Sequence, residues 1–214
     1  MSKMFSRNIE LITSAKHFLY DYDGTIVDSI DMHRKAFDLL FEDLGLDYNF
    51  FEITGLDTRA AIYQVLKKNK KKVGQIEFED FVIKKRKYAS EVFDQLSLKS
   101  GICTFLKRFW GRSPGAICSN SSEKTINKGL ARFSLTDYFE IVYGAESVLH
   151  CKPFPDVYLK AIDYFGCSPS DCVVFEDTDI GVQAAKAAGC NVIDVRLMSF
   201  EVVIAELDFQ EQTL

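Results

Sequence analysis

Four acidic side chains arrive in two pairs, each closing a short apolar run. Asp21 and Asp23 follow Phe18-Leu19-Tyr20, and Glu176 and Asp177 follow Val173-Val174-Phe175. In open α/β sheets, ligands sit beyond the carboxyl ends of the strands, so such acids are held by the sheet yet face a substrate. Neighbouring carboxylates repel, and a divalent cation between them keeps both ionised near neutral pH. With the ion present, one carboxylate can attack an electrophile while the other moves protons. Alone, Asp21-Tyr22-Asp23-Gly24-Thr25 also reads as an Asx-rich turn.

Two further segments lie between the pairs. Ala116-Ile117-Cys118-Ser119-Asn120-Ser121-Ser122 is a strand ending in hydroxyls, and Cys151-Lys152-Pro153-Phe154-Pro155-Asp156 carries a lysine at the head of a helix. Each has a plain explanation: a strand-terminal serine caps a helix, most lysines are solvated, and acids favour a helix N-terminus. Those explanations leave unexplained why acid pair, hydroxyl, lysine and acid pair all sit at strand ends or helix heads. In this order, from Phe18 to Gly189, they resemble the four motifs of the haloacid dehalogenase superfamily.

That resemblance implies an aspartyl-phosphate chemistry with Mg²⁺ as cofactor. Asp21 is then the nucleophile, and Asp23 the general acid and later base, with its carbonyl facing the metal. Asp177 is the second ligand, and Glu176 either binds the ion directly or holds one of its waters. Ser119 donates to a phosphoryl oxygen, Lys152 neutralises transition-state charge, and Thr25 and Asn120 stand on the substrate side. An oxygen-only site without a His or Cys cluster suits Mg²⁺. Relatives that cleave carbon–halogen or phosphonate bonds lack an acid two positions past the nucleophile, and Asp23 argues against both.

The elements that must position these residues fall into two blocks. From Asp31 to Ser97 the pattern is helical: Met32, Ala36, Leu39, Leu40 and Leu44 form one stripe, and Ala61, Ile62, Val65 and Leu66 another. A third helix is expected over 78–96. Beyond Ser97 helices alternate with short apolar strands: helices over 102–110, 124–133 and 155–165, and strands over 116–118, 141–143 and 173–175. That alternation indicates right-handed βαβ units and a parallel sheet. The expected fold class is therefore α/β, a Rossmann-like parallel sheet core (1–30 and 98–214) with an inserted all-helical cap domain (31–97). This placement resembles the C1 cap of the superfamily, a lid that excludes water and recognises the leaving group.

Within that branch the chain is similar to the β-phosphoglucomutase and sugar-phosphatase group, notably in Asp28-Ser29, His33 and Gly55-Leu56-Asp57-Thr58-Arg59. The resemblance makes His33 and Arg59 candidate substrate contacts. Ser122 stands where the mutase pattern has a lysine, and the Gly55-to-Arg59 spacing is one residue long for it. A phosphatase of a small phosphorylated metabolite, foremost a sugar phosphate, is thus expected ahead of a phosphohexomutase. A phospholigand-binding protein without turnover comes third.

Composition agrees. The chain has 214 residues, 47% of them apolar, with a formal charge of −5, which disfavours nucleic-acid binding. No apolar run approaches the roughly 20 residues of a membrane span. The six cysteines lack CxxC spacing and read as reduced thiols, with Cys118 and Cys172 in strands. A cytoplasmic protein without a membrane partner, monomeric or a weak homodimer, is the expectation. Two basic runs stand out, Lys67-Lys68-Asn69-Lys70-Lys71-Lys72 and Lys84-Lys85-Arg86-Lys87. As helix faces or ends they are solvated surface, or a lure for an anionic ligand.

Overall fold

The computed structural model describes residues 3–212. The chain divides into two compact units, one running up to Val27 and from Leu98 onward, the other Asp28–Ser97. The first contains strands β1 (His17–Tyr20), β4 (Gly115–Cys118), β5 (Phe139–Tyr143), β6 (Cys172–Glu176) and β7 (Asn191–Asp194). They form a five-stranded sheet in the order β5-β4-β1-β6-β7, and every pairing is parallel. Helices α1 (Lys3–Ser14), α6 (Ile102–Phe109), α7 (Glu123–Arg132), α8 (Asp156–Phe165), α9 (Asp179–Ala187) and α10 (Phe200–Gln212) accompany it. This is a Rossmann-like α/β fold, the class expected from the alternation of elements.

The central strands read as unbroken apolar runs because both their faces are buried. On one face Leu19, Ala116, Cys118 and Val174 pack with Val157, Tyr158 and Ala161 of α8 and Ala184 and Ala185 of α9. Strand alternation turns Phe18, Tyr20 and Phe175 to the other face. There Tyr20 stacks on Phe175 with centroids 5.2 Å apart, and Phe105 and Phe200 complete an aromatic layer. The sheet thus fixes the tips of β1, β4 and β6, where the candidate residues lie.

Element ends differ by one to three residues from their expected places, where local pattern is weakest, except that the helix expected over 78–96 runs Gln75–Glu91 and gives way to a separate turn at Phe93–Gln95. Helix α1, strand β7 and helix α10 went unassigned in the sequence. Helix α1 buries Ile9 and Ile12 while Phe5 and Leu11 are only half-buried, so its apolar stripe is too narrow to stand out from a tail.

The second unit contains α2 (Ile30–Asp43), α3 (Phe50–Ile53), α4 (Thr58–Lys68) and α5 (Gln75–Glu91). Phe37, Leu40 and Phe41 of α2 pack with Ile62, Val65 and Leu66 of α4 and Phe81 and Val82 of α5. The α2 stripe is centred on Ala36, Phe37, Leu40 and Phe41, and Leu39 and Leu44 are only half-buried. Asp57 caps α4, accepting from the amides of Arg59 (2.8 Å) and Ala60 (3.2 Å). The crossings are β2 (Val27–Asp28) and β3 (Ser97–Leu98), paired with one another. No helix among the described residues is long and apolar enough to cross a membrane.

Candidate active site

The Asp21 amide donates to Phe175 O at 2.9 Å, which carries the β1–β6 ladder into the first acid pair. At the next strand tip, Glu176 is fully buried. Lys152 joins them: its Nζ lies 2.6 Å from Asp21 Oδ1 and 2.5 Å from Glu176 Oε1. The ammonium also sits 5.0 Å from the Tyr158 ring centroid. Burial alone would depress the Lys152 ammonium, but the charges of Asp21 and Glu176 outweigh it and hold the group protonated.

The acids outnumber this cation. Asp21, Glu176 and Asp177 offer carboxylate oxygens within 4.8 Å of one another. Burial, chiefly, pushes Asp21 well above the usual carboxylate range; Lys152 opposes this, and Glu176, Asp177 and Asp23 add to it. Asp177 is pushed up to about 7 by burial and then by the charges of Glu176 and Asp23. Its Oδ1 is buried without a hydrogen-bond partner. A buried acceptor left open beside surplus negative charge fits a hard divalent cation, and the oxygen-only donors fit Mg²⁺ in kind.

Glu176 differs from its neighbours in having its carboxylate filled. Oε1 accepts from Lys152 and from Tyr158 Oη at 2.8 Å. Oε2 accepts from the amides of Asp177 (3.0 Å) and Thr178 (3.1 Å) and from the Thr178 hydroxyl (3.1 Å). Thr178 also caps α9, accepting from the Gly181 amide at 3.1 Å. Glu176 therefore ties the lysine, the β6 tip and the helix start together.

The remaining core candidates gather at the same tips. Asp23 accepts a short hydrogen bond from the Ser121 hydroxyl. Gly24, at φ +82°, lets this loop lie against Asp177: a Cβ there would stand 1.9 Å from Asp177 Oδ2. Thr25 Oγ1 is buried without a partner. Ser119 is buried, and its Oγ accepts from the Ser121 amide at 3.1 Å. Asn120, expected on the substrate side, clamps the lysine loop: Oδ1 accepts from the Lys152 amide (2.9 Å) and Nδ2 donates to Lys152 O (3.2 Å). Ser122 caps α7, accepting from the Thr125 amide at 3.3 Å.

The second unit holds His33 and Arg59. Both Arg59 Nη atoms donate to Glu79, at 2.5 and 2.6 Å, on an exposed face. His33 Nδ1 lies 2.9 Å from Nζ of Lys85, a buried lysine whose ammonium is 4.6 Å from the Phe37 ring centroid. An ammonium only donates, so Nδ1 accepts and the imidazole proton resides on Nε2.

Ser121, Tyr158, Thr178 and Lys85 were not singled out from sequence. Ser121 and Thr178 lie inside the motif segments and could have been found there. Tyr158 reads as core, and Lys85 is hidden in a basic run that looks solvated.

The haloacid dehalogenase-like hydrolase family matches residues 18–195. Fructose-1-phosphate phosphatase YqaB of Escherichia coli K12 is 33% identical over 84% of this chain and 96% of its own. Among solved structures, β-phosphoglucomutase from Clostridium difficile superposes with a TM-score of 0.79 at 20% identity, covering 92% of this chain and 98% of that one. CbbY from Rhodobacter sphaeroides in complex with xylulose-(1,5)bisphosphate does so with 0.73 at 25% identity, covering 84% and 85%. One family thus spans all four segments that end at Asp21, Ser119, Lys152 and Asp177, and a relative aligns over nearly its whole length: the chain belongs to the haloacid dehalogenase-like hydrolases.

Proposed function

We propose that this hydrolase is a Mg²⁺-dependent phosphatase of small phosphorylated metabolites, foremost sugar phosphates, working through a phosphorylated Asp21. The observation that carries the proposal is Lys152 held between Asp21 and Glu176 beside the open oxygen of Asp177. Asp21, Asp177 and the Asp23 carbonyl would hold the ion, whereas Glu176, its oxygens filled, positions Lys152. Mg²⁺ when bound supplies charge neutralisation for the phosphoryl group and the acids around it.

In the first half-reaction an Asp21 oxygen bonds to phosphorus as the bond to the leaving oxygen breaks, and Asp23 gives that oxygen its proton. In the second, Asp23 takes a proton from water, whose oxygen attacks phosphorus and restores the Asp21 carboxylate. Ser121 fixes the Asp23 carboxyl for both steps. Lys152 and the hydroxyls of Ser119 and Thr25 face the charge that builds on the phosphoryl oxygens. His33, aimed by Lys85, and Arg59 are proposed contacts for the rest of the substrate; Arg59 would exchange Glu79 for it.

The relative from E. coli, named for fructose 1-phosphate, supports the sugar-phosphate class. A phosphohexomutase is disfavoured by Ser122, a helix cap that carries no charge for a second phosphate. A panel of sugar phosphates assayed with Mg²⁺, scoring both inorganic phosphate and isomerised product, tests this. Phosphate release is expected to dominate. Conversion of β-glucose 1-phosphate to glucose 6-phosphate with little phosphate freed would overturn the phosphatase reading.

A further inference from the structure

Past the C-terminus of α4 the second unit forms a groove of about 740 Å³. Its lining is mostly apolar and includes Tyr63, Leu66, Val73 and Phe78 beside four lysines, Lys67, Lys70, Lys71 and Lys72, with no acidic residue. The turn itself assembles them. Asn69 ends the helix, Lys70 adopts a left-handed φ of 54°, and the Lys71 amide returns to Leu66 O at 3.0 Å. A lysine thus stands where glycine is favoured.

Lysines in the last turn of a helix complement its dipole, which accounts for Lys67 and Lys68. It does not account for the three beyond the cap. Lys68 is neutralised by Glu52 at 2.8 Å and Lys71 Nζ lies 6.0 Å from the Phe81 ring centroid, but Lys67, Lys70, Lys71 and Lys72 form no ion pair among the described residues. Like charges gathered on one rim repel, in a chain whose net charge is −5. A bound polyanion relieves that repulsion. The rings beside them add a requirement that a bare inorganic anion does not meet. Tyr63 remains 62% exposed, an apolar face for a flat partner. The volume lies within the range of small-molecule sites.

We propose that this groove is a second ligand site, separate from the acid cluster, for a polyanion with a flat apolar body. A nucleoside polyphosphate is the chemical class that has both parts: phosphates for the lysines, a base for the rings.

The test titrates ATP into the full chain by calorimetry, in Mg²⁺ buffer with inorganic phosphate saturating the catalytic centre. Saturable binding is expected, weakened about tenfold or more by the combined K70Q, K71Q and K72Q substitutions. Tyr63→Ser should weaken ATP while leaving inorganic tripolyphosphate unaffected. Hydrolysis of an aryl phosphate by either variant should match the wild type. Absence of saturable binding, equal affinity in the triple variant, or tripolyphosphate binding as tightly as ATP would each overturn the proposal.

Discussion

Replacing Gly181 by alanine inserts one methyl group where the structure has no room for it. Gly181 lies in the first turn of α9, and its Cβ would stand 1.8 Å from Glu176 Oε1, 2.0 Å from Cδ and 2.3 Å from Oε2. In an ordinary helix this substitution gains about 1 kcal/mol, because alanine loses less backbone entropy than glycine. Here the carboxylate must move, and it is the acceptor for Lys152, Tyr158 and three groups of Asp177 and Thr178. Hydrogen bonds to a charged group contribute about 1.5–3 kcal/mol each, so losing two costs roughly 3–6 kcal/mol. After the helix gain the net is about 2–5 kcal/mol destabilising, a Tm lower by roughly 4–20 °C for a chain of this size. Lys152, loosened from Glu176, no longer points reliably at the phosphoryl group, and kcat should fall by about 10². Thermal denaturation and steady-state hydrolysis of an aryl phosphate, each normalised to folded protein, measure the two effects. Gly74→Ala is the control: a Cβ there meets nothing within 4 Å, so the change should cost only the weaker N-cap of α5, about 1 kcal/mol or less, and leave kcat unchanged. A Gly181→Ala protein as stable and as active as the wild type would refute the reasoning. Lost stability with kcat intact would show that Glu176 supports the fold without positioning Lys152.

Three more outcomes are expected. Asp21→Asn should leave the fold intact and abolish turnover, and retention of a tenth of the activity would remove Asp21 as nucleophile. In chelator, stability should fall as pH rises from about 4 to about 7, because folded Asp177 titrates at about 7 against about 3.9 unfolded. The folded chain binds the extra proton in that window, so the contribution is complete below pH 4 and lost above pH 7, at most about 4 kcal/mol. Mg²⁺ should raise Tm more at pH 7.5 than at pH 5.5, and a flat profile in chelator would count against the buried acid. His33→Ala and Arg59→Ala should each lower kcat/KM for the best sugar phosphate about tenfold while sparing an aryl phosphate, as one charge-assisted hydrogen bond predicts; equal losses on both substrates would assign them to folding instead.

Whether a residue could be found from sequence depended on how local its cause is. Asp21, Asp23 and Asp177 follow apolar runs that must be strands buried on both faces, so their place at the sheet's edge follows from chain neighbours alone. Ser119, just past β4, was legible for the same reason, Lys152 from its place four residues ahead of α8, and the helical insertion from a period that differs from the strands around it. What each side chain touches there was not legible. Ser121 meets Asp23 across 98 residues of chain, Lys85 meets His33 across 52, and Tyr158 meets Glu176 across 18. No periodicity encodes such meetings. They exist because βαβ crossovers bring β1, β4 and β6 side by side, and because the α2–α5 packing turns one lysine of a basic run inward. The sequence alone therefore placed the acids at strand ends, while tertiary packing decided which acid holds the lysine, which stays open to a cation, and which amide only braces a loop.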